Sequence, residues 1–183
     1  MPNALVILAE GFEEIEAVTI IDVLRRAGIE VTVAALTSSP VRGAHEIVIA
    51  ADTPLALIDG ERFDALVLPG GMPGAKHLRE EQRVLALVRK FVAEGKLTAA
   101  ICAAPTVLET AGVLQGRRAT SYPGHALPSA VYLEQAVVED GVLVTSRGVG
   151  TALEFALSLV ARLAGAPAAS TQRERLLMAP QSA

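Results

Sequence analysis

The sequence predicts an α/β protein: a mostly parallel, doubly wound sheet with helices on both faces. Short apolar runs alternate with amphipathic stretches along the whole chain, as successive βαβ units require. The runs are almost free of polar residues, which suits strands covered on both sides. Aromatic residues are only 3% of 183, so the core must be built from Ala, Val, Leu and Ile.

Each element has a local reason. Ala4 to Ala9 reads as a fully buried first strand. A helix over Glu13 to Ala27 carries Glu13, Glu14 and Glu16 early and Arg25 and Arg26 late, matching the helix dipole, with Gly28 as its stop. Glu30 to Leu36 reads as the second strand, and Arg42 to Ala50 as a short β excursion. Ala65 to Leu68 is a further buried strand, closed by Pro69-Gly70-Gly71-Met72-Pro73-Gly74. Helical periodicity covers Glu80 to Ala93 and ends at Gly95. Leu97 to Ile101 is a strand that runs into Cys102-Ala-Ala-Pro105 and a helix to about Ala111. Ala136 to Glu139 and Val142 to Thr145 flank Asp140-Gly141, a hairpin signal. Helices over Thr151 to Ala164 and Ala168 to Met178 complete the pattern.

Composition narrows the function classes. Length and the lack of any linker or repeat suit one domain over residues 1–183. Sixteen basic against twenty acidic residues, net −4, offer no general attraction to nucleic acid or anionic membrane. The first apolar run is too short for a signal segment, and Glu154 and Arg162 interrupt the longest later one. A single Cys excludes an internal disulfide framework and a multi-Cys metal site. The expectation is a soluble, cytoplasmic protein.

Cys102 stands where a buried strand gives way to a helix with Pro105 in its first turn. Such a turn lifts a side chain above the sheet, and the free N–H groups of a helix start favour a thiolate, so a lowered thiol pKa is expected. The competing reading is a buried, inert Cys. Phe12, Glu16, Ile20, Val23 and Ala27 share one stripe of the first helix, and Glu16 is its polar exception. A desolvated Glu16 would hold its proton more tightly and could serve as acid or base; otherwise it simply pairs with the helix dipole. Val18 and Ile21 form a second apolar side, which points to burial against a partner subunit or to scattered exposed aliphatics. Gly70-Gly71 marks either an ordinary turn or backbone N–H groups which, with that of Ala103, make a two-donor hole beside Cys102.

The motifs Leu5-Val-Ile-Leu-Ala-Glu-Gly-Phe-Glu-Glu-Ile-Glu16, Leu68-Pro-Gly-Gly71, Ala99-Ala-Ile-Cys-Ala-Ala-Pro105 and Thr145-Ser-Arg-Gly-Val-Gly-Thr151 resemble the ThiJ/PfpI superfamily. They are most similar to the branch around the parkinsonism-associated protein deglycase and its bacterial relatives. The resemblance implies a flavodoxin-like sandwich, akin to class I glutamine amidotransferases, and a homodimer joined partly through the first helix. It implies Cys102 as nucleophile, Glu16 as the carboxyl bonded to it, and Gly71 and Ala103 as residues whose amides line the site. Arg147 matches an arginine near the subunit interface, without a chemical step assigned. The implied activity is glutathione-independent conversion of methylglyoxal to lactate and repair of early methylglyoxal adducts on proteins, in oxidative and carbonyl stress, with no metal or organic cofactor. The alternative is a redox-sensing or chaperone-like stress protein that uses oxidation of Cys102.

Some features depart from the pattern. Many relatives carry a His where this chain has Tyr122, with His125 three residues later as an auxiliary proton carrier or an idle loop residue. Protease-like cousins have His in the place of Ala103. Glutamine amidotransferases need a late His-x-Glu, and no His follows His125.

Overall fold

In the computed structural model, which describes residues 1–179, Leu5, Val6 and Ile7 have no exposed surface. They belong to β1 (Asn3–Leu8), near the middle of the main sheet. The chain continues through β2 (Glu30–Ala35), a hairpin of β3 (Val41–Arg42) and β4 (Val48–Ile49), β5 (Thr53–Pro54), β6 (Ala65–Leu68) and β7 (Leu97–Ile101). A small pair, β8 (Arg118–Ala119) and β9 (Val131–Tyr132), precedes β10 (Val137–Asp140) and β11 (Leu143–Ser146). Seven strands form one sheet in the order β10-β11-β7-β6-β1-β2-β5. All neighbours are parallel except β10 and β11, whose hairpin turns at Gly141 with φ 60°.

Alternation along β1 creates two cores. Ala4, Val6 and Leu8 pack with α1 (Glu14–Arg26) and α5 (Ala152–Ala164) through Ile20, Val23, Phe155 and Leu159. Leu5 and Ile7 pack on the opposite face with α2 (Gly74–Glu80), α3 (Gln82–Ala93) and α4 (Pro105–Ala111) through Leu78, Val88, Phe91 and Leu108. This is the doubly wound arrangement that the periodicity predicts and the flavodoxin-like sandwich that the resemblance implies. The chain leaves β1 through α1 to β2 on one face of the sheet, and leaves the adjacent β6 through α2 and α3 to β7 on the other. That divergence opens a crevice at the strands' carboxyl ends.

The expected helix over Glu13 to Ala27 forms as α1, with Glu13 as its cap: its Oε2 accepts the Glu16 N–H at 2.7 Å. Its far end is tied to α6 (Ala166–Arg175), where buried Gln172 donates through Nε2 to the Arg26 carbonyl at 3.0 Å. The sequence reading misses α2, because Pro73-Gly74 looks like turn chemistry. Here Pro73 caps the helix, where its missing N–H costs nothing. At Glu81 the backbone is extended, and its carboxylate caps the Arg83 N–H, so α2 and α3 are two helices rather than one. No helix among the described residues is long and apolar enough to cross a membrane.

Phe155 is fully buried where α5 meets α1 and the sheet. Phe155→Ala should cost about 3–5 kcal/mol in urea unfolding, and an unchanged midpoint would contradict this packing.

Candidate active site

The crevice brings together residues from three elements. Cys102 follows β7 directly and has φ 65°, a left-handed conformation that costs a non-glycine residue roughly 1–3 kcal/mol. Neighbouring strands and turns hold that backbone in place. Its N–H donates to the Ser146 carbonyl at 3.0 Å, and its carbonyl accepts the Tyr122 N–H at 2.9 Å. The sharp turn lifts the thiol to the start of α4, partly exposed, where the amides of Gly71 and Ala103 both donate to sulfur.

Glu16 comes from the first turn of α1 and is fully buried. Its Oε2 accepts the Gly70 N–H at 2.8 Å, and its carboxyl is hydrogen-bonded to Cys102. The Gly pair after β6 permits this approach. A Cβ on Gly70 would lie 2.5 Å from the Cys102 Cβ and 2.8 Å from Glu16 Oε2. On Gly71, whose φ is 91°, it would lie 2.2 Å from the Glu13 nitrogen. The sequence thus places Cys102, Glu16, Gly71 and Ala103 correctly as neighbours. Gly148, which sequence reading does not single out, completes the wall. A Cβ there would press on the Tyr122 ring at 3.2 Å and lie 4.0 Å from Glu16 Oε1. Oε1 is buried and has no hydrogen-bond partner among the described residues.

Tyr122 is half-exposed and meets His125 edge to face, with ring centroids 6.2 Å apart. Among the described residues, no hydrogen bond joins His125 to Cys102 or Glu16, so the structure forms a Cys–Glu pair and no Cys–His pair. Arg147 pairs with Glu134 at 2.9 Å. A groove of about 640 Å³ between β10, α5 and α6 lies away from the thiol.

Burial pushes the Glu16 carboxyl up from 4.5 to about 7, against the lowering effect of the Gly70 N–H and the bond to Cys102. The thiol corrects the sequence expectation. Burial and the neighbouring ionised Glu16 push Cys102 up to about 12, outweighing the amides of Gly71 and Ala103. The helix start does favour the anion, but a carboxylate in contact with it in a desolvated site opposes it more strongly. Above pH 7 the pair is therefore a carboxylate beside a neutral thiol.

A carboxyl with a raised folded-state pKa contributes stability below its unfolded value and loses it as pH rises through the folded one. Between about pH 4.5 and pH 8, Glu16 should therefore cost the fold roughly 3 kcal/mol that an amide does not. Glu16→Gln should gain stability relative to the parent protein over that range. Urea unfolding of both proteins at each end is the measurement, and a constant difference would mean that Glu16 does not titrate there.

Comparison with known proteins places this geometry in a lineage. The model of the DJ-1/PfpI family matches residues 2–162. Protein dj-1beta of Drosophila melanogaster is 46% identical over 182 residues, covering 97% of each chain. Its crystal structure superposes with a TM-score of 0.94 at 45% identity, over 98% of this chain and 99% of that one. A Pyrococcus abyssi protein named a deglycase is 36% identical over 149 residues, 79% of this chain and 89% of its own. With a family model matching residues 2–162 and a relative 46% identical over nearly its full length, the chain belongs to the DJ-1/PfpI family.

Proposed function

We propose that the protein is a cysteine-dependent, glutathione-independent glyoxalase and deglycase, acting on methylglyoxal and its early protein adducts in carbonyl and oxidative stress. The observation that carries this reading is the Cys102 thiol in hydrogen-bond contact with the buried Glu16 carboxyl, with two amides converging on the sulfur. A relative named a deglycase supports the reaction class.

Cys102 sulfur adds to the aldehyde carbon while its proton passes to Glu16. The carbonyl π pair moves onto oxygen, where the amides of Gly71 and Ala103 stabilise the charge until Glu16 returns the proton. The product is a hemithioacetal. Glu16 carboxylate then takes the hydrogen of the former aldehyde carbon as a proton and delivers it to the adjacent carbonyl carbon through an enediol. One carbon is oxidised as its neighbour is reduced, so no external oxidant enters. Water cleaves the lactyl thioester, releasing lactate and restoring the thiol. On an early protein adduct the same sulfur displaces the amine, thiol or guanidine, which leaves with a proton from Glu16.

Two further parts of the reading concern context. One cysteine and an exposed reactive turn suit a reducing compartment, in our reading the cytoplasm. Ile15 and Val18 are exposed on α1, and Ile47 and Val48 on the adjoining hairpin. These aliphatics support a symmetric homodimer in which the patch meets its copy.

Cys102→Ser should abolish lactate formation, and Glu16→Gln should lower kcat by about 100-fold or more. In the parent protein, kcat/KM should rise with pH through about 7, because carboxylate is the base, and this limb should vanish in Glu16→Gln. Parent-like turnover by Glu16→Gln would refute the proton-transfer role. For assembly, sedimentation should show a dimer that Val18→Glu weakens; a monomeric parent at micromolar concentration would exclude it.

A further inference from the structure

Beside the nucleophile lies a second group of ligating side chains that this chemistry does not use. Glu13 and Glu14 enter it from the start of α1, and His45 from the loop between β3 and β4. The two carboxylate side chains are 10% and 4% exposed, whereas that of His45 is 72% exposed. His45 Nδ1 lies 2.9 Å from Glu14 Oε2 and 4.0 Å from Glu13 Oε1. The other Glu13 oxygen is occupied by the Glu16 N–H, but among the described residues no hydrogen bond reaches Oε1. A side chain nine-tenths buried thus turns its second oxygen toward an imidazole. Within ion-pair distance, His45 is the only cationic partner of either carboxylate among the described residues. Two largely buried carboxylates thus share one exposed ring, an arrangement of one nitrogen and two oxygen donors.

We propose that Glu13, Glu14 and His45 form a binding site for a divalent transition metal of the zinc class. The three donor atoms lie within 4.8 Å of one another. Tetrahedral zinc, with bonds of about 2.0–2.2 Å, sets its ligands roughly 3.4 Å apart. The 2.9 Å and 4.0 Å separations from His45 straddle that value, and the two carboxylates lie within 4.8 Å of each other. The imidazole nitrogen selects against calcium and magnesium, which take oxygen ligands, and suits zinc or its borderline neighbours. The ion replaces the proton shared by His45 Nδ1 and Glu14 Oε2, and its charge offsets both carboxylates. Glu14 Oε1 stays bonded to the His45 amide, an outer contact that fixes the ligand's orientation. Three protein ligands leave a fourth position open to water or a small anion.

The site adjoins the reaction without entering it. The Glu13 N–H donates to the Gly70 carbonyl at 2.9 Å, and the Glu13 carboxylate holds the Glu16 N–H. Metal occupancy therefore bears on the backbone that presents Glu16 and Gly71 to the sulfur.

Zinc titrated calorimetrically into metal-free Cys102→Ser protein, which lacks the competing thiol, should bind at one ion per chain. Adding His45→Ala, at an exposed position outside both cores, should weaken that binding about 10-fold or more. Cobalt(II) bound to the parent protein should show nitrogen and oxygen ligation with no thiolate charge-transfer band. Equal zinc binding with and without His45, no zinc binding by the Cys102→Ser protein, or a cobalt–thiolate band would each overturn the proposal.

Discussion

The Glu16 carboxyl is taken out of water by the apolar stripe of its own helix and by the sheet beneath it, and the Gly70 N–H is the backbone donor that meets it there. Phe12, Ile20 and Val23 bury the same stripe, so the force that seats α1 on the sheet also desolvates the acid. Its raised pKa is thus a by-product of core formation. Loosening α1 would return Glu16 toward an ordinary carboxylate and the thiol toward an ordinary, unassisted one.

Around that carboxyl, the fold tolerates several local costs. Cys102 is held at φ 65° by hydrogen bonds from β11 and from the Tyr122 segment, and Gly70 and Gly71 stand where any side chain would collide with the opposite wall. All three follow the carboxyl ends of β6 and β7, beside the crevice where the chain's connections diverge. Strain and close backbone approach gather where the sheet topology leaves room for a ligand, and the helical faces remain regular.

Much of this was legible in the residues because the signals are local. Ala65–Leu68 is an uninterrupted apolar run and Leu97–Ile101 one broken only by Thr98, and both form strands with those bounds. Glu16 betrayed itself as the one charge on a buried stripe, and Cys102 by its place between strand and proline. Other features depend on what the fold brings together. His45 meets Glu14 across 31 positions, and nothing in either segment announces the other. The acidity of Cys102 was misread because helix amides are visible in sequence, whereas the charge state of the carboxyl in contact with the thiol is not. The α2 helix was hidden by Pro73-Gly74, residues that serve turns and helix starts equally well.

The bond from Gln172 to the Arg26 carbonyl joins positions 146 apart and fastens the far end of the helix that bears Glu16. Its consequence concerns the order in which the molecule becomes competent. During synthesis the Cys102 turn, its strand and both glycines emerge while α5 and α6 are still unmade. The helix carrying Glu16 then lacks its packing partner and its rear fastening. A nascent chain therefore carries the thiol before the carboxyl beside it is firmly seated, and the two reach their final setting once the last helices dock.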